Sequence, residues 1–334
     1  MMKYLLSALV LTAASARAAV PPERLAVLSR GANISTLFER KVDLNDELRQ
    51  IAADGFRHVR VFVMLESLGD PAYLGRLDRL VAETAKLRLG ILLCMNSRQH
   101  ELKDGAGPDL TERWVAGWKT LASRYRTSSP DQVFPELANE PNIHDRTTWT
   151  SIQDRLHDTV RDLLPQHTIL LTGSPLSMTW SLPETIDSGD HDVVYTFHLY
   201  QPMLVTHQGA DWIPFYQPFR GLAYPPNADN IRMMTNPRTQ AELVGFAKNG
   251  KTLIQREVDH SAAWSESHHV PLVTTEFGIY SAASPATRAA WLREARTRLE
   301  DAHIGWTVWE YKGGFGVAPL TPQSMLGQAL GLDH

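Results

Sequence analysis

Two stretches decide the fold: Gly90-Ile91-Leu92-Leu93-Cys94-Met95 and Val270-Pro271-Leu272-Val273-Thr274-Thr275. Both are short, and neither alternates apolar with polar residues. A strand with one wet face alternates; a strand covered on both faces does not, and parallel sheets flanked by helices are built from such strands. Six further runs read as strands, at residues 28–34, 58–63, 132–138, 168–172, 192–198 and 305–309. Amphipathic segments separate the eight. Residues 71–89 carry Tyr73, Leu74, Leu77, Leu80, Val81 and Ala85 at three- and four-residue steps, which predicts a helix with one buried stripe. Residues 45–54, 111–126, 147–164, 239–267, 286–302 and 324–330 read as helical too, the fifth of these opened by Ser284-Pro285. Strand–helix alternation on this scale predicts an α/β chain closed into a single (β/α)8 barrel. An open doubly wound sheet has the same local pattern, and spacing alone leaves both in play. The longest irregular stretch, 201–237, is rich in Pro, Tyr, Phe and Asn, and loops of that length in a compact domain are usually functional.

Composition narrows the chemistry. The chain has 334 residues, 33 basic and 37 acidic, for a formal charge of −4. That balance offers no footprint for nucleic acid, and the apolar content excludes a mainly disordered chain. A lone cysteine, Cys94, rules out an internal disulfide framework and a multi-cysteine metal cluster. Nine Trp is a high count. Residues 1–18 read as a signal peptide: Lys3 supplies the positive region, Leu5 to Ala14 the apolar one, and Ala16-Arg17-Ala18 the cleavage pattern, with the cut near Ala18/Ala19. The expectation is a secreted or periplasmic protein, monomeric, off the membrane after cleavage, with residues 19–334 as one catalytic barrel domain.

In a barrel the active site gathers at the C-terminal ends of the strands. The fourth run ends Ala138-Asn139-Glu140-Pro141, and the seventh ends Thr275-Glu276-Phe277-Gly278. The second ends Arg60-Val61-Phe62, the sixth Phe197-His198-Leu199-Tyr200, the eighth Val308-Trp309-Glu310. Two carboxylates 136 residues apart in sequence thus meet on one rim. Acetal cleavage needs one carboxyl protonated and one ionised, held across a cleft.

Asn139-Glu140-Pro141 after an apolar strand resembles the signature of glycoside hydrolase family 5, the cellulase family of retaining barrel enzymes. Val273-Thr274-Thr275-Glu276-Phe277-Gly278 resembles its nucleophile strand, and Phe197-His198-Leu199-Tyr200 its His-x-Tyr strand. Gly305-Trp306-Thr307-Val308-Trp309 resembles its last strand. The likeness runs from about Ser29 to Gly316. It implies Glu140 as acid/base and Glu276 as nucleophile. It further implies Asn139 on the sugar 2-hydroxyl, Arg60 and Tyr200 holding Glu276, His198 supporting the acid/base, and Trp309 as the sugar platform. Lys312 is expected to reach a neighbouring subsite and Trp212 to stack on a sugar. Many members carry a His at the end of the third strand; here Asn96 stands in, with Arg98 or His100 as further candidates. The expected activity is endo-β-1,4-glucan hydrolysis without cofactor or metal. Mannanase, xyloglucanase or β-1,3-glucanase activity, or a non-catalytic glycan-binding barrel, are the alternatives. The substrate partner is a β-linked polysaccharide or oligosaccharide.

One motif fails on context. Gly245 to Thr252 matches the phosphate-loop pattern, but that mechanism needs a strand delivering the loop to a helix.

Overall fold

The computed structural model describes residues 19–34, 44–98, 100–105, 107–183, 189–248 and 251–332. The expected signal peptide lies outside them. Eight strands form the centre: β1 (Arg30–Asn33), β2 (His58–Met64), β3 (Gly90–Asn96), β4 (Val133–Glu136), β5 (Ile169–Thr172), β6 (Val193–Leu199), β7 (Leu272–Phe277) and β8 (Gly305–Val308). They close in the order β1-β8-β7-β6-β5-β4-β3-β2, every pair parallel. The closed order excludes the open sheet.

Period two along each strand sorts the barrel interior into tiers. The lower tier is apolar: Leu92, Phe134, Leu170, Val194 and Val273 pack together with Val20 and Leu28. Two residues further along the same strands come Cys94, Glu136, Thr172, Thr196 and Thr275, all buried. The interior therefore turns polar just beneath its C-terminal mouth. Outside, helices Pro71–Lys86, Pro108–Tyr125, Arg146–Leu163 and Pro285–Asp301 bury one stripe each. Asp70, Asp145 and Ser284 cap three of them through the side chain. Trp114, Trp118 and Trp291 lie in these stripes, at most 2% exposed, and are core.

The structure departs from the sequence reading at three places. A short helix, Pro22–Leu28, precedes β1 and seals the barrel floor. Its Arg24 fastens it by bonds to Asp131 (2.8 Å) and Asp192 (3.0 Å). Residues 239–267 are not one helix. Gly245 caps the end of Pro237–Val244, a hairpin of Ala247–Lys248 with Lys251–Thr252 intervenes, and Thr252 caps Leu253–His268. The phosphate-loop lookalike falls across that helix end and hairpin, with Ala247 paired to Thr252 and Lys248 to Lys251. The stretch 201–237 holds two short helices, Met203–Thr206 and Ala228–Met233. No described helix is long and apolar enough to cross a membrane.

Candidate active site

Arg60 organises the mouth. It stands on β2 with its side chain wholly buried, and a guanidinium buried that deeply needs partners for all its N–H groups. It finds them on four strands. Nε donates to Glu136 Oε2 (2.6 Å), and Nη2 to Glu136 Oε1 (3.0 Å), Asn139 Oδ1 (2.9 Å) and Cys94 Sγ (3.2 Å). Nη1 donates to Asn33 Oδ1 (3.0 Å) and Glu276 Oε1 (2.7 Å). Burial opposes the charge on Arg60, yet the carboxylates of Glu136 and Glu276 hold its pKa well above the ordinary value. Because Arg60 takes the carbonyl oxygen of Asn139, the amide nitrogen of Asn139 is left as the donor on its other side.

Glu276 is aimed by a break in β7. Phe197 pairs with Thr274, but His198 pairs with Glu276; β8 shows the same slip, from Trp306–Thr274 to Val308–Phe277. The extra residue is a bulge, which re-aims side chains at a strand end. It lets Thr275 Oγ1 donate to Glu136 (3.2 Å) while the next residue, Glu276, also faces inward. Gly278 completes the turn: a Cβ there would meet the Trp309 carbonyl at 2.0 Å. Tyr200 OH donates to Glu276 Oε2 at 2.9 Å.

Glu140 enters from a different backbone state. Its φ is +43°, a left-handed conformation that costs a non-glycine residue about 1–3 kcal/mol and swings its side chain out of the strand direction. The carboxyl is 35% exposed, against 6% for Glu276. His198 Nδ1 lies 2.8 Å from Glu140 Oε1 and 3.6 Å from Glu276 Oε2. The three groups bring one donor atom each within 4.8 Å of one another. Burial raises the carboxyl of Glu276 above its usual range, with His198 and Arg60 opposing. Burial also acts to raise Glu140, but the hydrogen bond and charge of His198 overcome it and hold Glu140 low. Burial acts to lower His198, yet the two carboxylates keep it above the ordinary imidazole value. Between Glu140 and His198, these directions favour the proton on the imidazole. Among the described residues this is the group of His and carboxylate side chains close enough to bind a metal, but the Arg60 cation beside it opposes a second positive charge.

The remaining candidates spread around this centre. Trp309, half-buried at the end of β8, packs against Phe62 with centroids 5.4 Å apart. Asn96 is buried at the end of β3, its side-chain oxygen accepting from the Ser97 amide. Arg98 bonds to Glu66 and Ser67 through its amide and guanidinium, while His100 is a minor influence lowering the Glu140 carboxyl. Lys312 is paired with Glu47 at 3.0 Å. Trp212 is 53% exposed and packs edge-on to Tyr280 at 4.9 Å. Trp149 and Trp264 are buried, whereas Trp180 is 52% exposed. Sequence reasoning missed Glu136 and Phe62. A carboxylate inside an otherwise apolar strand, three residues ahead of Asn139, was the available signal for the first.

A model of the cellulase family, glycosyl hydrolase family 5, matches residues 26–313. The chain belongs to this family. It is accordingly a glycoside hydrolase. Endoglucanase 3 of Fibrobacter succinogenes is 26% identical over 258 residues, which are 72% of this chain and 39% of that protein. The chain thus matches well under half the length of that relative. Endoglucanase C of Acetivibrio thermocellus is 27% identical over 285 residues, 80% of this chain and 83% of the relative. Among solved structures, Cel5A of Thermotoga maritima, a mutant form with cellobiose, superposes with a TM-score of 0.77 at 23% identity, covering 94% of this chain and 99% of its own. The cellulose synthase subunit Z of Clostridioides difficile does so at 0.75 and 20% identity, covering 90% and 99%. These likenesses show the same barrel fold.

Proposed function

We propose that this chain is a retaining endo-β-1,4-glucanase that acts by double displacement. The observation that carries the mechanism is the approach of the Glu140 and Glu276 carboxyl oxygens to within 4.8 Å. Retaining enzymes hold their carboxyl groups about 5–5.5 Å apart, whereas inverting ones leave about 6.5–9.5 Å for a water. The pKa directions alone would make Glu276 the proton carrier. The hydrogen bonds favour the opposite assignment: Glu276 accepts from Arg60 and Tyr200 on separate oxygens, which fixes it as an ionised nucleophile. Glu140 is the carboxyl open to solvent and bonded to a proton donor.

In the first step Glu276 attacks the anomeric carbon, the bond to the leaving oxygen breaks, and that oxygen takes a proton from Glu140. His198 supplies Glu140 with the proton along their 2.8 Å bond as the sugar displaces water. In the second step water attacks the same carbon, Glu140 accepts the water proton, and Glu276 departs as carboxylate. Asn139 bonds the sugar 2-hydroxyl through its amide nitrogen, and Trp309 forms the floor. Burial raises the basicity of Glu276, which favours nucleophilic attack, and the donors Arg60 and Tyr200 act on its ionised form. The choice of β-1,4-glucan rests on the endoglucanase relatives; mannan, xyloglucan and β-1,3-glucan are the competing substrates. We also infer export by the leader at residues 1–18, testable by N-terminal sequencing of the protein recovered outside the cytoplasm.

Azide tests the roles. With Glu276→Ala, azide enters from the vacant nucleophile side and yields the α-glycosyl azide. With Glu140→Ala, azide attacks the covalent intermediate and yields the β-glycosyl azide. The reverse pairing of anomers overturns the assignment. Product sizing on a panel of β-glucans and β-mannans tests the substrate; equal or faster cleavage of mannan overturns it.

A further inference from the structure

We propose that Glu136 is a positioning residue that balances the charge of Arg60, so that Arg60 orients Glu276 without quenching it as a nucleophile. The inference deepens the retaining mechanism and rests on it.

Glu136 is 1% exposed and lies one tier below the reacting groups, too deep to touch sugar. Its carboxylate grips two nitrogens of Arg60. That fork turns the remaining Nη1 toward Glu276 and Asn33. Thr275 Oγ1, on the residue before the nucleophile, ties Glu136 to the bulge that aims Glu276. With neither Arg60 nor Glu136 open to water, solvent screens little of the interaction. Paired with Glu136, Arg60 meets Glu276 as a donor in a neutral unit. Without the Glu136 charge, an uncompensated cation would stand 2.7 Å from the nucleophile. An opposite charge that close lowers carboxylate basicity by about 1–3 pH units. A less basic Glu276 attacks the anomeric carbon more slowly, and leaves it faster when water breaks the ester. Glu136 is thus placed to set the balance between the two steps.

The titratable and charged groups around Glu276 are few. Arg60 comes from β2, Cys94 from β3, Glu136 and Glu140 from β4 and its end, and His198 and Tyr200 from β6. Asn33 of β1 and Trp309 after β8 are neutral. Burial holds the Cys94 thiol protonated, so Glu136 is the group whose charge opposes Arg60 from below.

The test is Glu136→Gln, which keeps the shape and removes the charge. Glu276 must be ionised to attack, so the acidic limb of kcat/KM follows its pKa in the free enzyme. In the variant that limb moves down by about one pH unit. kcat on an aryl β-cellobioside with a poor leaving group falls by about ten-fold. With a good leaving group, the burst that reports accumulated glycosyl-enzyme shrinks. Thr275→Val removes a bond to Glu136 but leaves its charge, and its acidic limb stays with the wild type. Should Glu136→Gln fail to fold, Glu136→Asp withdraws the charge by one methylene and moves the limb the same way by less. A folded Glu136 variant whose limb and burst match the wild type overturns the proposal, as does a Thr275→Val limb that moves as far as that of Glu136→Gln. Wild-type enzyme that shows no burst and no covalent intermediate overturns the retaining mechanism instead, which separates the two failures.

Discussion

His198 Nδ1 stands 2.8 Å from Glu140 Oε1, and the same atom lies 3.6 Å from Glu276 Oε2. One imidazole thus faces both reacting carboxylates, and the low carboxyl of Glu140 and the raised base of His198 are two views of one shared proton. Activity on the alkaline side should end when that proton leaves. His198→Gln keeps a donor at the position but cannot hold the proton. Its basic limb then belongs to the Glu140 carboxyl alone and should fall by about one pH unit or more. Rates across pH 5–9 on one aryl cellobioside check this; an unmoved basic limb would mean that Glu140 carries the proton unaided.

Trp212 presents half its surface to solvent while its edge rests on Tyr280 and, at 6.1 Å, on Phe315. An exposed indole braced in this way has the geometry that a sugar-stacking platform requires, and the proposed role of Trp212 is to hold a sugar at a subsite beyond a short substrate. Losing one such contact is worth about 1 kcal/mol. Trp212→Ala should therefore raise KM about five-fold on cellohexaose and leave kcat/KM on a short aryl cellobioside nearly unchanged. Equal effects on both substrates, together with a lower Tm, would assign Trp212 to packing.

Why some of this was legible in the sequence follows from the barrel itself. Strands buried on both faces lose alternation, so 90–95 and 270–275 announced a parallel sheet. The rim collects strand-end residues, so Glu140, Glu276, His198 and Trp309 were readable from position alone. What escaped depends on long-range geometry. Thr275 and Glu276 are adjacent letters, and only the slip against β6 and β8 turns both inward. Glu136 looks like a misplaced charge until Arg60, 76 residues earlier, is brought against it. The helix Pro22–Leu28 has a short apolar sequence that runs into β1, and Arg24 reveals its place only through Asp131 and Asp192. The helix over 239–267 fails because the cap at Gly245 outweighs the periodicity around it.

Buried histidines predict how the fold responds to acid. His58, on β2, lies against the Val27 carbonyl (2.9 Å) and Thr307 Oγ1 (2.8 Å), and burial lowers its pKa to about 4. Burial does the same for His167 and His207. The unfolded chain takes up these protons near pH 6.5 and the folded chain only near pH 4. Between those values the unfolded state binds more protons, so stability falls as pH drops through that window and changes little from these groups above it. Tm measured at half-unit steps from pH 7 to 4 should decline through the window. His58→Gln, lacking the titration, should decline less steeply. A parallel decline in the variant would remove His58 from the account.

Phe62 follows Arg60 by two residues on β2 and lies between two partners. Its ring centroid is 5.1 Å from the Arg60 guanidinium carbon and 5.4 Å from the Trp309 ring, at an interplanar angle of 40°. It therefore covers one face of the group that orients Glu276 and steadies the indole that would carry the sugar. Removing it opens Arg60 to water and lets Trp309 turn. Truncating a half-buried Phe costs about 2 kcal/mol, so Phe62→Ala should melt several degrees lower. The decisive readout is kinetic. Loss of Trp309 orientation weakens sugar binding and raises KM, whereas hydration of Arg60 weakens its hold on Glu276 and lowers kcat. Phe62→Ala should do both, cutting kcat/KM by about ten-fold or more, while Phe62→Tyr, which keeps the ring, should restore most of it. A lower Tm with wild-type kcat and KM would leave Phe62 as packing alone.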